Sequence, residues 1–213
     1  MNTFVYLHFA IRKVAKFMTR PGRVHHVAIA HLLRHLRCNT RTAGITYYSD
    51  ISKAPVTQLL ASIDAPTDFP LVMFTDSSWQ DCPDTSRSTG CYLIYCQGGL
   101  VDAASFVPDP VALSSAEAEY QIAAFGVSGC EHTRQLFQEL HGLDPDTPLT
   151  IPILTNSQSA MAIASSDRDT RRTRHIRRRY HYVRHQIAQG AHIILKIDGT
   201  LNISDIGTKL QDF

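Results

Sequence analysis

Several large protein classes are excluded by what this sequence lacks. Its five cysteines (Cys38, Cys82, Cys91, Cys96 and Cys130) are odd in number and contain no CxxC pair. That fits reduced thiols in an intracellular protein better than a disulfide frame or a zinc knuckle. No run approaches the roughly 20 apolar residues of a spanning helix, so no membrane contact is expected. The basic residues near the N-terminus follow the short apolar stretch instead of preceding it, which makes a poor secretory signal. There is no internal repeat and no low-complexity segment. Net charge is only +2, so the overall balance does not point to any class of partner. What is present is ordinary for a globular protein: 213 residues, 44% hydrophobic and 19% charged, enough for one domain with an appendage.

The central stretch is Leu71–Trp79, LVMFTDSSW. Leu71 to Thr75 form a near-continuous apolar run, the pattern of a short strand covered on both faces. It ends on Asp76 and then Ser77-Ser78. A carboxylate at the end of a core strand is held rigidly and suits a metal site, although an Asx-turn would use the same residue.

Upstream, Leu7, Ile11, Val14 and Met18 recur at helical spacing until Pro21-Gly22 stops the pattern. A second helix over about 24–37 completes a hairpin that leaves Phe4, Phe9 and Phe17 facing outward. His31 and His35 lie one turn apart, but no acid or thiol joins them, and a solvated face is the simpler reading. Residues 43–48 have the composition of a strand, and 52–70, with three prolines, read as a linker. Downstream, strands over about 91–96 and 100–106 flank a Gln97-Gly98-Gly99 turn. A long helix then runs from Ser114 to Leu140. Ser114 and Glu117 form a capping box, which gives Glu117 a structural job. Glu119 lies above Ile122, Ala123, Gly126 and Cys130, the apolar stripe, where an acid must be paired, protonated or bound to a cation.

A strand over about 149–154 leads to Asn156, positioned as an N-cap for a short helix from Ser157. Arg168–His185 then holds eight arginines in eighteen residues with one acid, Asp169. Ile176, Tyr180, Val183 and Ile187 mark a packing face. The cationic remainder, with Tyr180 and Tyr182 interleaved, suits phosphate binding as well as a solvated face. A last strand, 192–197, precedes a short helix bearing Asp205, with Ile203, Ile206 and Leu210 inward.

The motifs LVMFTDSSW, RSTG, VALSSAEAEY, TNSQSAMAIA, TRHIRRRYHYVRH and SDIGTKL occur in an order and spacing that resemble the RNase H domain of copia-type LTR retrotransposon polyproteins. LHFAIRKVAKFMTRPGRVHHVAIAHLLRHLR resembles the end of the same polyprotein's reverse transcriptase, so the resemblance covers nearly the whole chain. It implies an α/β, RNase H-like fold: a mixed five-stranded sheet flanked by helices and preceded by an N-terminal helical hairpin. The implied division is a helical remnant over 1–48, a linker over 49–70 and the RNase H-like domain over 71–213. It also implies cleavage of RNA in RNA–DNA hybrids with two Mg2+ ions, or Mn2+ as substitute, held by four carboxylates.

Carried over, these positions are Asp76, Glu119, Asn156 and Asp205, with Asp76, Glu119 and Asp205 as the metal-holding carboxylates. Asn156 stands where the family has aspartate, which implies weakened metal binding and impaired cleavage, or an inactive nucleic-acid-binding or relic module. AASFVPDP lacks the usual tryptophan and basic residues, and Lys209-Leu210 replaces Lys-Pro. Arg171, Arg172, Arg174, Arg177 and Arg178 are the expected contacts to hybrid or duplex nucleic acid. Reverse transcriptase parts of a parent polyprotein are further expected partners, in a cytoplasmic particle or the nucleus.

Overall fold

The computed structural model describes residues 4–39, 44–109, 111–165 and 177–209, with side chains in the last span from His181 onward. Five strands, β1 (Leu71–Ser78), β2 (Thr89–Cys96), β3 (Gly99–Phe106), β4 (Ile151–Thr155) and β5 (His192–Lys196), form one sheet in the order β3-β2-β1-β4-β5. The first three are antiparallel, whereas β4 pairs parallel with β1, and β5 parallel with β4. This is the expected mixed sheet. β1 lies at its centre, and six of its eight residues are buried. The β2–β3 turn is Gln97-Gly98, both at positive φ (48° and 76°), the geometry a two-residue hairpin loop requires.

Six α-helices are found among the described residues: α1 (His8–Ala15), α2 (Arg23–Asn39), α3 (Pro55–Ser62), α4 (Ser115–Leu140), α5 (Gln158–Ala164) and α6 (Arg177–Ala188). On one sheet face Leu71, Met73, Ile94, Ile151 and Ile153 pack under Tyr120, Val127 and Cys130 of α4, Ala164 of α5 and Val183 of α6. Gly126 makes the α4 contact close, because a Cβ there would lie 2.4 Å from Met73 Sδ. The opposite face, with Val72, Phe74, Leu93 and Leu154, is covered by Val5, by Val56 and Leu60 of α3, and by Ile197.

Four expectations change. The stretch read as a linker folds into α3, whose Val56 and Leu60 are core residues; Pro55 sits at its first turn, where proline starts a helix instead of breaking it. Residues 44–48 form no strand; Tyr48 N–H bonds to Gln97 O (3.3 Å) and Tyr47 Oη to Leu100 O (3.1 Å), docking the segment on the hairpin. Phe9 is buried, not outward-facing. Asp205 sits on a 3-10 helix, Ile203–Gly207, with Ser204 and Gly207 inward and Ile203 39% exposed. The three-residue period of that helix brings i and i+3 onto one side.

Candidate active site

Asp76 is the sixth residue of β1, paired opposite Cys91 of β2, and is 3% exposed. It belongs to the strand and not to an Asx-turn, since β1 continues to Ser78. Its Oδ2 accepts a hydrogen bond from the Thr208 hydroxyl. Burial pushes its pKa up to about 6, against the pull of Thr208, and the neighbouring Asp205 adds to the rise.

Glu119 lies in the second turn of α4 and is 9% exposed. Burial, with the charges of Asp76 and Asp205, raises its pKa to about 8, partly offset by hydrogen bonding from Ser77. Its Oε2 has no hydrogen-bond partner among the described residues. Glu117, assigned a structural job by its capping box, is buried too, at 4%. The difference is satisfaction. Glu117 Oε2 accepts from Leu113 N–H (3.0 Å) and Oε1 from Gln121 Nε2 (3.1 Å), while Ser114 Oγ accepts from Glu117 N–H (3.2 Å). Both Glu117 oxygens have donors, whereas Glu119, hydrogen-bonded by Ser77, keeps one buried oxygen without a partner among the described residues.

Asp205 reaches the same place from the C-terminal segment. Asn202 anchors that segment to the sheet, donating from Nδ2 to Thr75 O (2.9 Å) and accepting from Ser204 Oγ (2.6 Å). Ser105 Oγ donates to Gly207 O (2.6 Å), and a Cβ on Gly207 would lie 2.2 Å from Cys91 Sγ, so only glycine allows this approach to β2. Lys209 Nζ bonds to Asp205 Oδ2 at 2.5 Å, and that contact raises the lysine's pKa, with Asp76 and Glu119 contributing. Asp205 Oδ1 is buried and unpartnered among the described residues.

Asn156 follows the last residue of β4. Phe74 and Leu154 are partners in the parallel β1–β4 pairing, so Asp76 and Asn156, each two residues on, lie level at one end of the sheet. Asn156 is not the expected N-cap. That role belongs to Ser157, whose Oγ accepts from Ala160 N–H (3.1 Å).

The structure therefore brings Asp76, Glu119 and Asp205 together at the sheet end that Asn156 shares. Their charges act on one another, yet no three His, Cys, Asp or Glu side chains among the described residues converge closely enough to enclose an ion. The donor set is oxygen only and includes two orphaned carboxylate oxygens, which suits a hard divalent cation. His31 is exposed and His35 packs edge-on against Tyr6 (5.5 Å). Arg171, Arg172 and Arg174 lie outside the described residues. α6 feeds β5, which runs parallel to β4, so the helix runs back along the sheet and its first residues, Arg177 and Arg178, lie at the carboxylate end. Thr208 and Asn202 were not singled out from the sequence; the signal for Asn202 was its position as cap of the Ile203–Gly207 turn.

No protein-family model matches the chain. It is 29% identical over 201 residues to the retrovirus-related Pol polyprotein from transposon TNT 1-94 of Nicotiana tabacum, covering 94% of this chain and 14% of the polyprotein. It is 25% identical over 203 residues to the Pol polyprotein from transposon RE1 of Arabidopsis thaliana, covering 95% and 12%. Among solved structures it is similar to RNase H1 from the archaeon Halobacterium salinarum (12% identity, TM-score 0.44, 63% of this chain and 89% of that one). It is also similar to the protease-reverse transcriptase of prototype foamy virus (13%, 0.45, 69% and 22%). No helix among the described residues is long and apolar enough to cross a membrane. Over nearly its whole length the chain is thus similar to a segment of retrotransposon Pol polyproteins, spanning about one seventh of the length of these relatives, and its sheet is the mixed five-stranded one expected.

Proposed function

We propose that this domain binds RNA–DNA hybrid and hydrolyses the RNA strand slowly, its site being weakened by Asn156. The observation that supports this reading is the convergence of Asp76, Glu119 and Asp205 at one sheet end, with Asn156 level with Asp76 on the adjoining strand. These carboxylates would hold divalent cations, Mg2+ or Mn2+ as substitute. The chemistry that bound ions would supply is polarisation of the scissile phosphate and acidification of a water. The chain's own part is positional. Thr208 fixes one oxygen of Asp76, Asn202 ties the Asp205 segment to β1, and α4 holds Glu119 out of water. Asn156 offers an amide oxygen of nearly the same shape without the charge, so the site attracts dications less strongly. Arg171, Arg172, Arg174, Arg177 and Arg178 would neutralise hybrid phosphates beside it.

A second reading, a non-catalytic module that binds hybrid or associates with reverse transcriptase parts of a parent polyprotein, is favoured by the same asparagine. The test is a labelled hybrid incubated in Mg2+ and in Mn2+ with the native chain and with Asn156→Asp. Restoring about 3–4 kcal/mol of transition-state stabilisation raises the rate by two to three orders of magnitude. Brisk Mg2+-dependent cutting by the native chain, unchanged in Asn156→Asp, overturns the impaired-site reading. Binding without cutting by both chains establishes the second one.

A further inference from the structure

The N-terminal hairpin carries a charge distribution that the carboxylate site does not explain. Residues 1–49 contain eight Lys and Arg and no Asp or Glu, leaving 13 basic against 19 acidic residues in the rest of the chain. Residues 1–49 therefore stand at +8 on a body of −6, with seven of these cations in the hairpin itself. α2 begins with Arg23, His25 and His26, and has no acid in its first turn. Cations there oppose the positive end of the helix dipole, so the arrangement is not explained by helix stability.

The cations fall into two sets. Lys13 and Lys16 pair with Asp81 (2.5 Å) and Asp84 (2.6 Å), and Arg12 donates to Thr89, fastening α1 and the residue after it to the β1–β2 loop and the start of β2. Arg20, Arg23 and Arg34 are exposed and have no acidic partner among the described residues. Arg23 and Arg34 are eleven residues, close to three turns, apart, which places them on one side of α2 about 16 Å from each other. Because Thr89 pairs with Ser78, just beyond Asp76, the α1 attachments lie at the carboxylate end of the sheet. Arg20 and Arg23 follow these attachments within four to seven residues of Lys16, at the tip of the hairpin. At the other end of the hairpin His35 packs on Tyr6.

The hairpin and α6 lie on opposite faces of the sheet. Val5, preceding α1, packs with Phe74 and Leu93, whereas Val183 of α6 packs with Leu71 and Met73. Asp76 and Asn156 lie at the sheet end that the α1 attachments and the start of α6 share. We propose that Arg20, Arg23 and Arg34 form a second phosphate-binding surface, Arg20 and Arg23 at the hairpin tip and Arg34 about three turns back along α2, so that a duplex crossing the carboxylate end is held along the hairpin as well as by α6. This rests on the hybrid-binding reading above. A polyanion is the occupant that the charge selects: an ordinary mixed-charge protein surface would leave this acid-free group of cations without counterparts. Exposed Val24 (77%), Val27 (63%) and Leu33 (60%) would serve a protein partner or a second copy instead.

The experiment measures binding of the full chain to a labelled RNA–DNA hybrid across a salt series. It compares the native chain, Arg20→Gln/Arg23→Gln/Arg34→Gln, and Arg177→Gln/Arg178→Gln. Each phosphate contact contributes about 0.9 to the slope of log K against log salt, so the hairpin variant should flatten the slope by about 2–3 units. It should also weaken binding at least ~10-fold at low salt, with an unchanged melting temperature. A native slope in the hairpin variant, with a reduced slope in the α6 variant, overturns this inference and leaves the hybrid reading standing. No hybrid binding by the native chain overturns both. A native slope together with self-association in sedimentation that Val27→Ser/Leu33→Ser abolishes makes the hairpin a protein-facing surface, and also overturns it.

Discussion

The Thr208 hydroxyl donates to Asp76 Oδ2, joining residues 132 positions apart and fixing the end of the chain to the central strand. The bond stabilises the ionised form of a carboxylate that burial otherwise drives toward protonation. Thr208→Val should therefore raise the Asp76 pKa further above about 6, and Thr208→Ser should leave it near the native value. Carboxyl carbon chemical shifts followed through a pH titration read this directly. Equal titration in Thr208→Val and the native chain would show that the hydroxyl does not hold Asp76.

The acid cluster makes stability depend on pH in a defined direction. In the folded chain Asp76 titrates near 6, against 3.8 ordinarily, and Glu119 near 8, against 4.5. Both groups hold protons more tightly when folded, so their contribution is complete below about pH 4 and is lost as pH rises through about 6 and then about 8. In chelator, the melting temperature should fall between pH 5 and pH 9. Asp76→Asn should recover stability at pH 8 on the order of 3 kcal/mol, the value of a shift of that size. Calorimetry that finds Asp76→Asn no more stable than the native chain at pH 8 would remove the basis for this account. Added Mg2+ should raise the native melting temperature at pH 8 and do less for Asp76→Asn.

Glu117 and Glu119 are two residues apart on α4, and both are buried, yet their substitutions should separate cleanly. Glu117→Gln disturbs the bonds to Leu113 N–H and Gln121. It should cost about 1 kcal/mol, the usual value of a helix-start contact, with hybrid cleavage by Asn156→Asp as background little changed. Glu119→Gln in the same background should suppress cleavage and raise stability above pH 8. Parallel loss of activity in both variants would mean that hydrogen-bond satisfaction does not distinguish their roles.

How much was legible in the sequence depended on whether a residue's job was local. β1 was legible because a strand buried on both faces needs an apolar run, and Asp76 stood out by ending it. Glu119 was legible from the helical stripe, whereas the burial of Glu117 was not, because its compensating donors come from Leu113 and Gln121 and leave no periodic trace. Asp205 could be placed only by resemblance. Nothing local shows that Asn202 would bond to Thr75 O, 127 positions away. Residues 52–70 were misread because three prolines suggest extended chain, although Pro55 is at the one helical position that favours it. Asn156 was misread as a cap because the real cap, Ser157, is adjacent and chemically equivalent for that role.

The segments before β1 should differ sharply in how firmly they belong to the fold. Leu60 of α3 is 1% exposed and packs in the cluster with Phe74 and Leu93. Removing its side chain leaves a cavity beneath the central strand, so Leu60→Ala should destabilise the domain by about 2–5 kcal/mol. A true linker would make that substitution nearly silent. Leu7 and Phe9 are likewise buried, whereas α2 has no buried residue. A helix without buried contacts opens locally at little cost. Hydrogen exchange should therefore show α2 amides exchanging faster than those of α3 and β1, while the Leu7 amide, bonded to Phe4 O at 3.0 Å, is protected. Equal protection across α2 and β1 would mean that the hairpin is held by more than the Phe17–His25 stack at 4.1 Å and the Tyr6–His35 contact.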